Sequence, residues 1–245
     1  MSFTHYVALG DSMSTDHYPT CDARGLDAPP SRLDPLGAAA MLYRNADARW
    51  PEFSGQDLER RFPDMSFRNL AQDGATIDDV VTEELSRLGQ DSEDPHILVT
   101  VTAGGNDLLD AVLAGRPLEA AVRQLIESYT DLIETLREEL PHATLVLTTV
   151  YDPTDSTGRL PGLSESYGRL PLEYLDRFND HVRNTVEGTP GTMLADVHAH
   201  FLGHGVSVLE PERWYWRHNL IEPSARGASE IRRVWWDALT SRGTA

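Results

Sequence analysis

The stretch "HILVTVTAGG" at 96–105 constrains the fold more than any other. It is a run of apolar and β-branched residues ended by two glycines. That pattern reads as a strand buried on both faces of a sheet. Weaker runs of the same kind stand at 5–10 ("HYVALG"), 65–71 ("MSFRNLA"), 143–150 ("ATLVLTTV") and 191–197 ("GTMLADV"). Apolar residues at helical spacing fill 76–88, 118–140, 172–188 and 224–239 between and after them. The helix ends carry ordinary punctuation: Pro141 follows the second, Gly188 ends the third and Pro223 precedes the last. Five strands alternating with helices predict an α/β fold in which a parallel sheet is covered on both faces. In such sheets the ligand crevice lies beyond the carboxyl ends of the strands. That rule puts Ser12, Gly74, Asn106 and the 151–166 loop on one rim.

Composition narrows the partners. The 245 residues fit one domain spanning 1–245, and no repeat or low-complexity tract divides them. The formal net charge is -18, and all 21 basic residues are arginine. Such an acidic chain repels nucleic acid and anionic membranes, so neither is an expected partner. A single cysteine, Cys21, rules out an internal disulfide and a thiolate-rich metal site. With no apolar leader before "HYVALGDS" and no membrane-length apolar run, a cytoplasmic location is expected.

Ser12 follows the first strand directly, in "VALGDSMSTD". On its own it could equally be a turn or helix-cap serine. Gly74 after the second strand can offer a backbone N–H at close approach. Asn106 after the third can donate from its side-chain amide. The Ser12 N–H, the Gly74 N–H and the Asn106 amide would then converge as an oxyanion hole. Three such residues at the ends of successive strands make Ser12 a credible nucleophile.

The blocks "ALGDSMS", "NLAQDGAT" and "TAGGNDLL" resemble those of the SGNH (GDSL-like) hydrolase superfamily. The resemblance runs over nearly the whole chain. It implies a flavodoxin-like three-layer sandwich with a five-stranded parallel sheet, Ser12 as nucleophile, and Gly74 and Asn106 as oxyanion donors. It also implies hydrolysis of a small ester or acetylated substrate through an acyl-enzyme, with no cofactor.

The fourth block departs from the family pattern, which places Asp-x-x-His-Pro before the last helix. The matching stretch here is "HNLIEPSARGASEIRR". Pro223 aligns with the family proline, Glu222 takes the histidine position and Asn219 the aspartate position. Three readings are open. Glu222 is itself the base, although a free glutamate with a pKa of about 4.3 is a weak one unless burial raises it. Alternatively, His218 reaches in from four residues upstream and Glu222 orients it, restoring a serine–histidine–acid set. In the third, the site has lost hydrolysis and binds a ligand. Imidazole has the better pKa, which favours His218 as acceptor. Glu222 holds the homologous position and is the firmer member of the site. Asp11 is expected to shape the turn.

Other features have plainer readings. Asp196, His198 and His200 would share one face if extended, with His204 four residues on. They could ligate a metal, but histidines capping the fifth strand are the expected reading, and no metal is assigned. Asp152 and Asp155 read as an acidic turn around Pro153. The segment 13–34, with His17 and Tyr18, reads as an irregular loop over the site. Trp214, Tyr215 and Trp216 read as an apolar wall or as packing on the sheet.

Overall fold

The computed structural model describes residues 2–24, 35–89 and 96–241. Five strands form one sheet: β1 (His5–Gly10), β2 (Ser66–Asn69), β3 (Ile97–Thr102), β4 (Thr144–Thr148) and β5 (Thr192–Ala195). Every pairing is parallel, in the order β2-β1-β3-β4-β5. This is the flavodoxin-like order, whose switch point falls between β1 and β3. The strands lie within the stretches expected from sequence: β1 matches its range, and the others are one to three residues shorter at their ends.

The helices in chain order are α1 (His17–Arg24), α2 (Ala38–Tyr43), α3 (Leu58–Arg61), α4 (beginning Ile77–Asp79), α5 (Gly105–Leu113), α6 (Leu118–Glu139), α7 (Ser164–Tyr167), α8 (Leu172–Gly188), α9 (Val197–Phe201) and α10 (Ala225–Ser241). None of the described helices is long and apolar enough to cross a membrane. Alternation within β1 shows how both faces are buried. Tyr6 and Ala8 join a cluster with Met41 and Leu42 of α2, Phe201 of α9 and Ile231 and Trp235 of α10. Val7 and Leu9 join the opposite cluster, with Val80 of α4, Leu132 and Leu136 of α6 and Phe178 of α8. The sheet is therefore the middle of three layers, as a strand reading without polar alternation requires.

Four local departures from the sequence reading have physical causes. The helix α4 is not uniform: it widens to a π-helical turn at Val80–Glu84 and tightens to a 3-10 turn at Leu85–Arg87. A helix, α5, starts at once after β3, because Gly104 in the left-handed region (φ 99°) turns the chain directly into it. The segment 13–34 is not wholly irregular. It contains α1, whose Asp22 carboxylate accepts the first free N–H of α10 from Ala225 at 3.0 Å. The rest of that segment, 25–34, lies outside the described residues. Finally, α9 replaces the extended backbone that would have aligned Asp196, His198 and His200.

The end of β1 is unusually tight. Gly10 has φ 117°, and a Cβ there would lie 1.6 Å from the Thr102 carbonyl oxygen of β3. No side chain fits, and the conformation itself disfavours one. Gly10→Ala is therefore expected to destabilise the fold by about 3 kcal/mol or more, read as a lowered urea midpoint.

Candidate active site

Beyond Gly10 the chain makes a turn fastened to β3. The Asp11 N–H donates to the Thr102 carbonyl and hydroxyl, each at 3.1 Å. The Asp11 side chain accepts the Met13 N–H at 3.0 Å, and the Ser14 hydroxyl bonds that of Thr102 at 2.9 Å. Ser12 sits at the crest of this turn. Asp11 thus shapes the turn, as its sequence position suggests.

Glu222 arrives from the other end of the chain. Residues 214–224 fold back as a small antiparallel stem. Its ties are the Tyr215–Pro223 bridge, the Trp216 N–H on the Glu222 carbonyl (2.8 Å) and the Ser224 N–H on the Trp214 carbonyl (2.9 Å). The Tyr151 hydroxyl pins the tip by donating to the Ile221 carbonyl at 2.8 Å. Ser224 then caps α10, its hydroxyl accepting the Gly227 N–H at 3.0 Å. The stem turns the Glu222 side chain toward Ser12, and both residues are only 7 % exposed.

His218 stands at the exposed tip of the same stem. Arg217 Nε donates to its Nε2 at 3.0 Å, and its ring lies edge-on to Trp216. It lies four positions before Glu222, but the intervening chain is a hairpin tip instead of a helical turn. His218 is not among the residues lining the cavity beside Ser12, whereas Glu222 is.

That cavity measures about 120 Å³. Ser12, Asn106 and Glu222 are among its polar lining residues. Its walls are apolar, from Leu108, Leu109 and Val112 of α5, Val150 and Leu160 after β4, and Leu175 of α8. Asn106 is held by its own amide, which donates to the Ala75 carbonyl at 2.9 Å and keeps a second N–H. Gly74 lies in the exposed turn leading to Ala75, with φ 78° and open space where a Cβ would stand. It does not line the cavity, so Ser12 and Asn106 are brought together more closely than Gly74 is.

Two carboxyls here titrate abnormally. Burial pushes the Glu222 carboxyl up to about 7, helped by the charges of Asp11 and Asp73 and opposed by a hydrogen bond from Ser12. Burial also raises Asp11, to about 6, against the hydrogen bonds it accepts. The Glu222 Oε2 atom is buried without a partner among the described residues. A carboxylate in this state is a stronger base than any exposed glutamate, because protonation relieves its desolvation.

The remaining sequence candidates are structural. His198 Nδ1 faces the Val150 carbonyl at 3.1 Å, His200 Nε2 meets Glu230 at 2.9 Å, and the His204 ring stacks on Trp214 at 3.6 Å. With α9 dispersing them, they share no ligand point. Among the described residues no group of three His, Cys, Asp or Glu side chains is placed to hold a metal. Asp152 accepts the N–H groups of Thr154 and Ser156, and Asp155 those of Gly203 and Gly205, so both order their own loops. Trp214 and Tyr215 pack in the core under α9, and Trp216 is buried beside Tyr18; none of them lines the cavity.

A serine at the tip of a strand-end turn, an adjacent amide donor and a buried carboxylate meet at the switch point of the α/β sheet. Residues 8–228 match the GDSL-like Lipase/Acylhydrolase family, and the chain belongs to that family. Solved structures with the same fold include an extracellular lipase from Streptomyces rimosus (TM-score 0.65, 21% identity, 96% of this chain and 99% of that chain). A phospholipase A1 from Streptomyces albidoflavus aligns with TM-score 0.58 and 19% identity over 98% of this chain and 99% of that chain. An acetylxylan esterase from Geobacillus stearothermophilus, as a serine-to-alanine catalytic mutant, aligns with TM-score 0.63 and 16% identity over 97% and 94%. None of the curated protein sequences compared matches this chain.

The raised Glu222 pKa has a stability consequence with a fixed sign. The folded chain holds this proton to about pH 7, whereas the ordinary value is 4.5. Folding therefore loses stability as pH rises between those values and changes no further above them. Glu222→Gln is expected to stabilise the fold at pH 8 by on the order of 2–3 kcal/mol, with no gain at pH 4. Urea denaturation at the two pH values measures it, and an equal shift at both would contradict the assignment.

Proposed function

We propose that this protein is a serine esterase whose general base is Glu222 and whose preferred substrates are uncharged esters with an apolar acyl chain. The observation that carries the reading is the Glu222 carboxylate buried against Ser12, at the mouth of an apolar cavity, with its pKa raised to about 7. The family supports ester hydrolysis, and solved structures of the same fold include a lipase and an acetylxylan esterase.

The reaction follows from the positions. The Ser12 hydroxyl adds to the acyl carbonyl carbon while its proton passes to Glu222. Negative charge gathers on the carbonyl oxygen, where the Ser12 N–H and the second N–H of Asn106 donate. When the intermediate collapses, the bond to the alcohol oxygen breaks and Glu222 returns its proton to that oxygen. A water then repeats the sequence on the acyl-enzyme, with Glu222 again taking the proton, and the carboxylic acid leaves. A base with a pKa near the working pH suits both halves of the cycle, since it must accept a proton and then give it up.

A stoichiometric reaction of a fluorophosphonate with Ser12 is expected. Absence of labelling, together with no hydrolysis across a panel of short acyl esters, would favour a ligand-binding protein on the same fold. Glu222→Gln should lower kcat by about 10²–10⁴-fold, and His218→Ala should leave it unchanged. The wild-type rate should rise along one ionisation near pH 7. Loss of activity in His218→Ala would return the proton to the histidine.

The cavity sets the acyl preference. Each methylene moved from water to an apolar wall contributes about 0.8 kcal/mol, or roughly fourfold in kcat/KM. Acetate, butyrate and hexanoate esters of one alcohol should climb on that slope. A flat or falling series would place the acyl chain elsewhere.

A further inference from the structure

Glu84 is a fully buried carboxyl that the proposed reaction does not use. It ends the π-helical turn of α4, at Val80–Glu84. Insertions of this kind are rare, and they reposition a side chain that a regular helix would aim elsewhere. Here the widened turn delivers one carboxyl oxygen, Oε2, to the backbone N–H of Gly10 at 2.7 Å. The other oxygen, Oε1, is buried without a partner among the described residues.

Gly10 is the last residue of β1, two before Ser12. Its carbonyl accepts the Gln72 N–H at 2.8 Å, so its polar groups face the β2 side of the strand. The strand β2 pairs with β1 only as far as Ala8 and Asn69. Beyond that point no strand offers the Gly10 N–H an acceptor, and Glu84 supplies one. The ladder on the other side runs on to Gly10 and Thr102. The strand end that carries Ser12 is thus held by β3 on one flank and, on the other, by the Gln72 N–H on its carbonyl and by the Glu84 carboxyl on its N–H.

We infer that Glu84 is a positioning residue, completing the sheet at Gly10 and thereby fixing where the Ser12 hydroxyl and backbone N–H stand; the catalytic part of this inference rests on the esterase reading. Its chemistry suits the task. Burial raises the carboxyl to about 8, with the Asp11 charge adding to the rise and the Gly10 N–H and Arg87 opposing it. Around neutral pH it is therefore an uncharged acceptor, and it adds little charge beneath the nucleophile.

Two variants separate positioning from bulk stability. Glu84→Gln keeps an acceptor for Gly10, and Glu84→Leu fills similar space with none. Below the melting transition of each, Glu84→Gln should keep kcat within about threefold of wild type. Glu84→Leu should lose about 10–100-fold in kcat with KM little changed, the scale on which a shift of about 1 Å in a reacting group acts. Ser12 labelling by the fluorophosphonate should slow in step with kcat. A folded Glu84→Leu that labels and turns over at the wild-type rate would overturn the inference.

Amide exchange of Gly10, followed by NMR, tests the contact whether or not the protein is an esterase. Exchange should quicken in Glu84→Leu and stay protected in Glu84→Gln. Unchanged exchange in the leucine variant sinks the positioning role. Wild-type protein that shows this exchange pattern but no Ser12 labelling sinks the esterase reading and the catalytic part of the inference, leaving Glu84 as a structural prop of the strand end.

Discussion

The contact between Gly10 and the Thr102 carbonyl governs the geometry of this protein. With no room for a Cβ between them, the end of β1 can occupy one place only, against the end of β3. Everything polar in the site is built outward from that contact. The Asp11 turn is tied to Thr102, α5 begins two residues after β3 and presents Asn106, and the stem carrying Glu222 closes from the far side. The switch point between β1 and β3 opens a crevice in any sheet of this order. The glycine determines how closely the groups in this one approach.

The electrostatics of the site follow from having carboxyls where an imidazole would be expected. An exposed glutamate is ionised and weakly basic at neutral pH. Glu222 is buried next to Asp11, so its charged form is disfavoured by lost hydration and by a like charge. The fold bears that cost because both side chains sit on segments fixed elsewhere. The stem is held by backbone pairing and by Tyr151, and the turn by β3. Local destabilisation of this sort is commonly found at functional sites, where the surrounding structure over-determines the strained group.

Much of this was legible in the sequence, for reasons that differ by residue. The five strands were visible because parallel strands buried on both faces read as apolar runs. Ser12 and Asn106 were visible because each directly follows such a run. Which of Glu222 and His218 stands nearer Ser12 was not legible, since a spacing of four fits one helical turn as well as a hairpin tip, and only tertiary pairing places them. The histidines near 198 could be read either way for a similar reason: alternation implies a shared face only in extended backbone, and Asp196 caps a helix instead. Glu84 left a faint signal. It stands with Ile77, Val80 and Leu88 on the apolar stripe of α4, where a charged residue has no reason to lie unless something meets it.

The apolar cavity and the two buried carboxyls meet at Ser12, and their meeting gives the site a charge preference. A neutral acyl group gains by entering, since its chain finds only apolar walls. An anion at the same point would face the carboxyls of Asp11 and Glu222 in a crevice that screens them poorly. A neutral ligand is therefore held there more tightly than an anion of the same size. The two buried acids act as a charge filter on whatever binds beside Ser12.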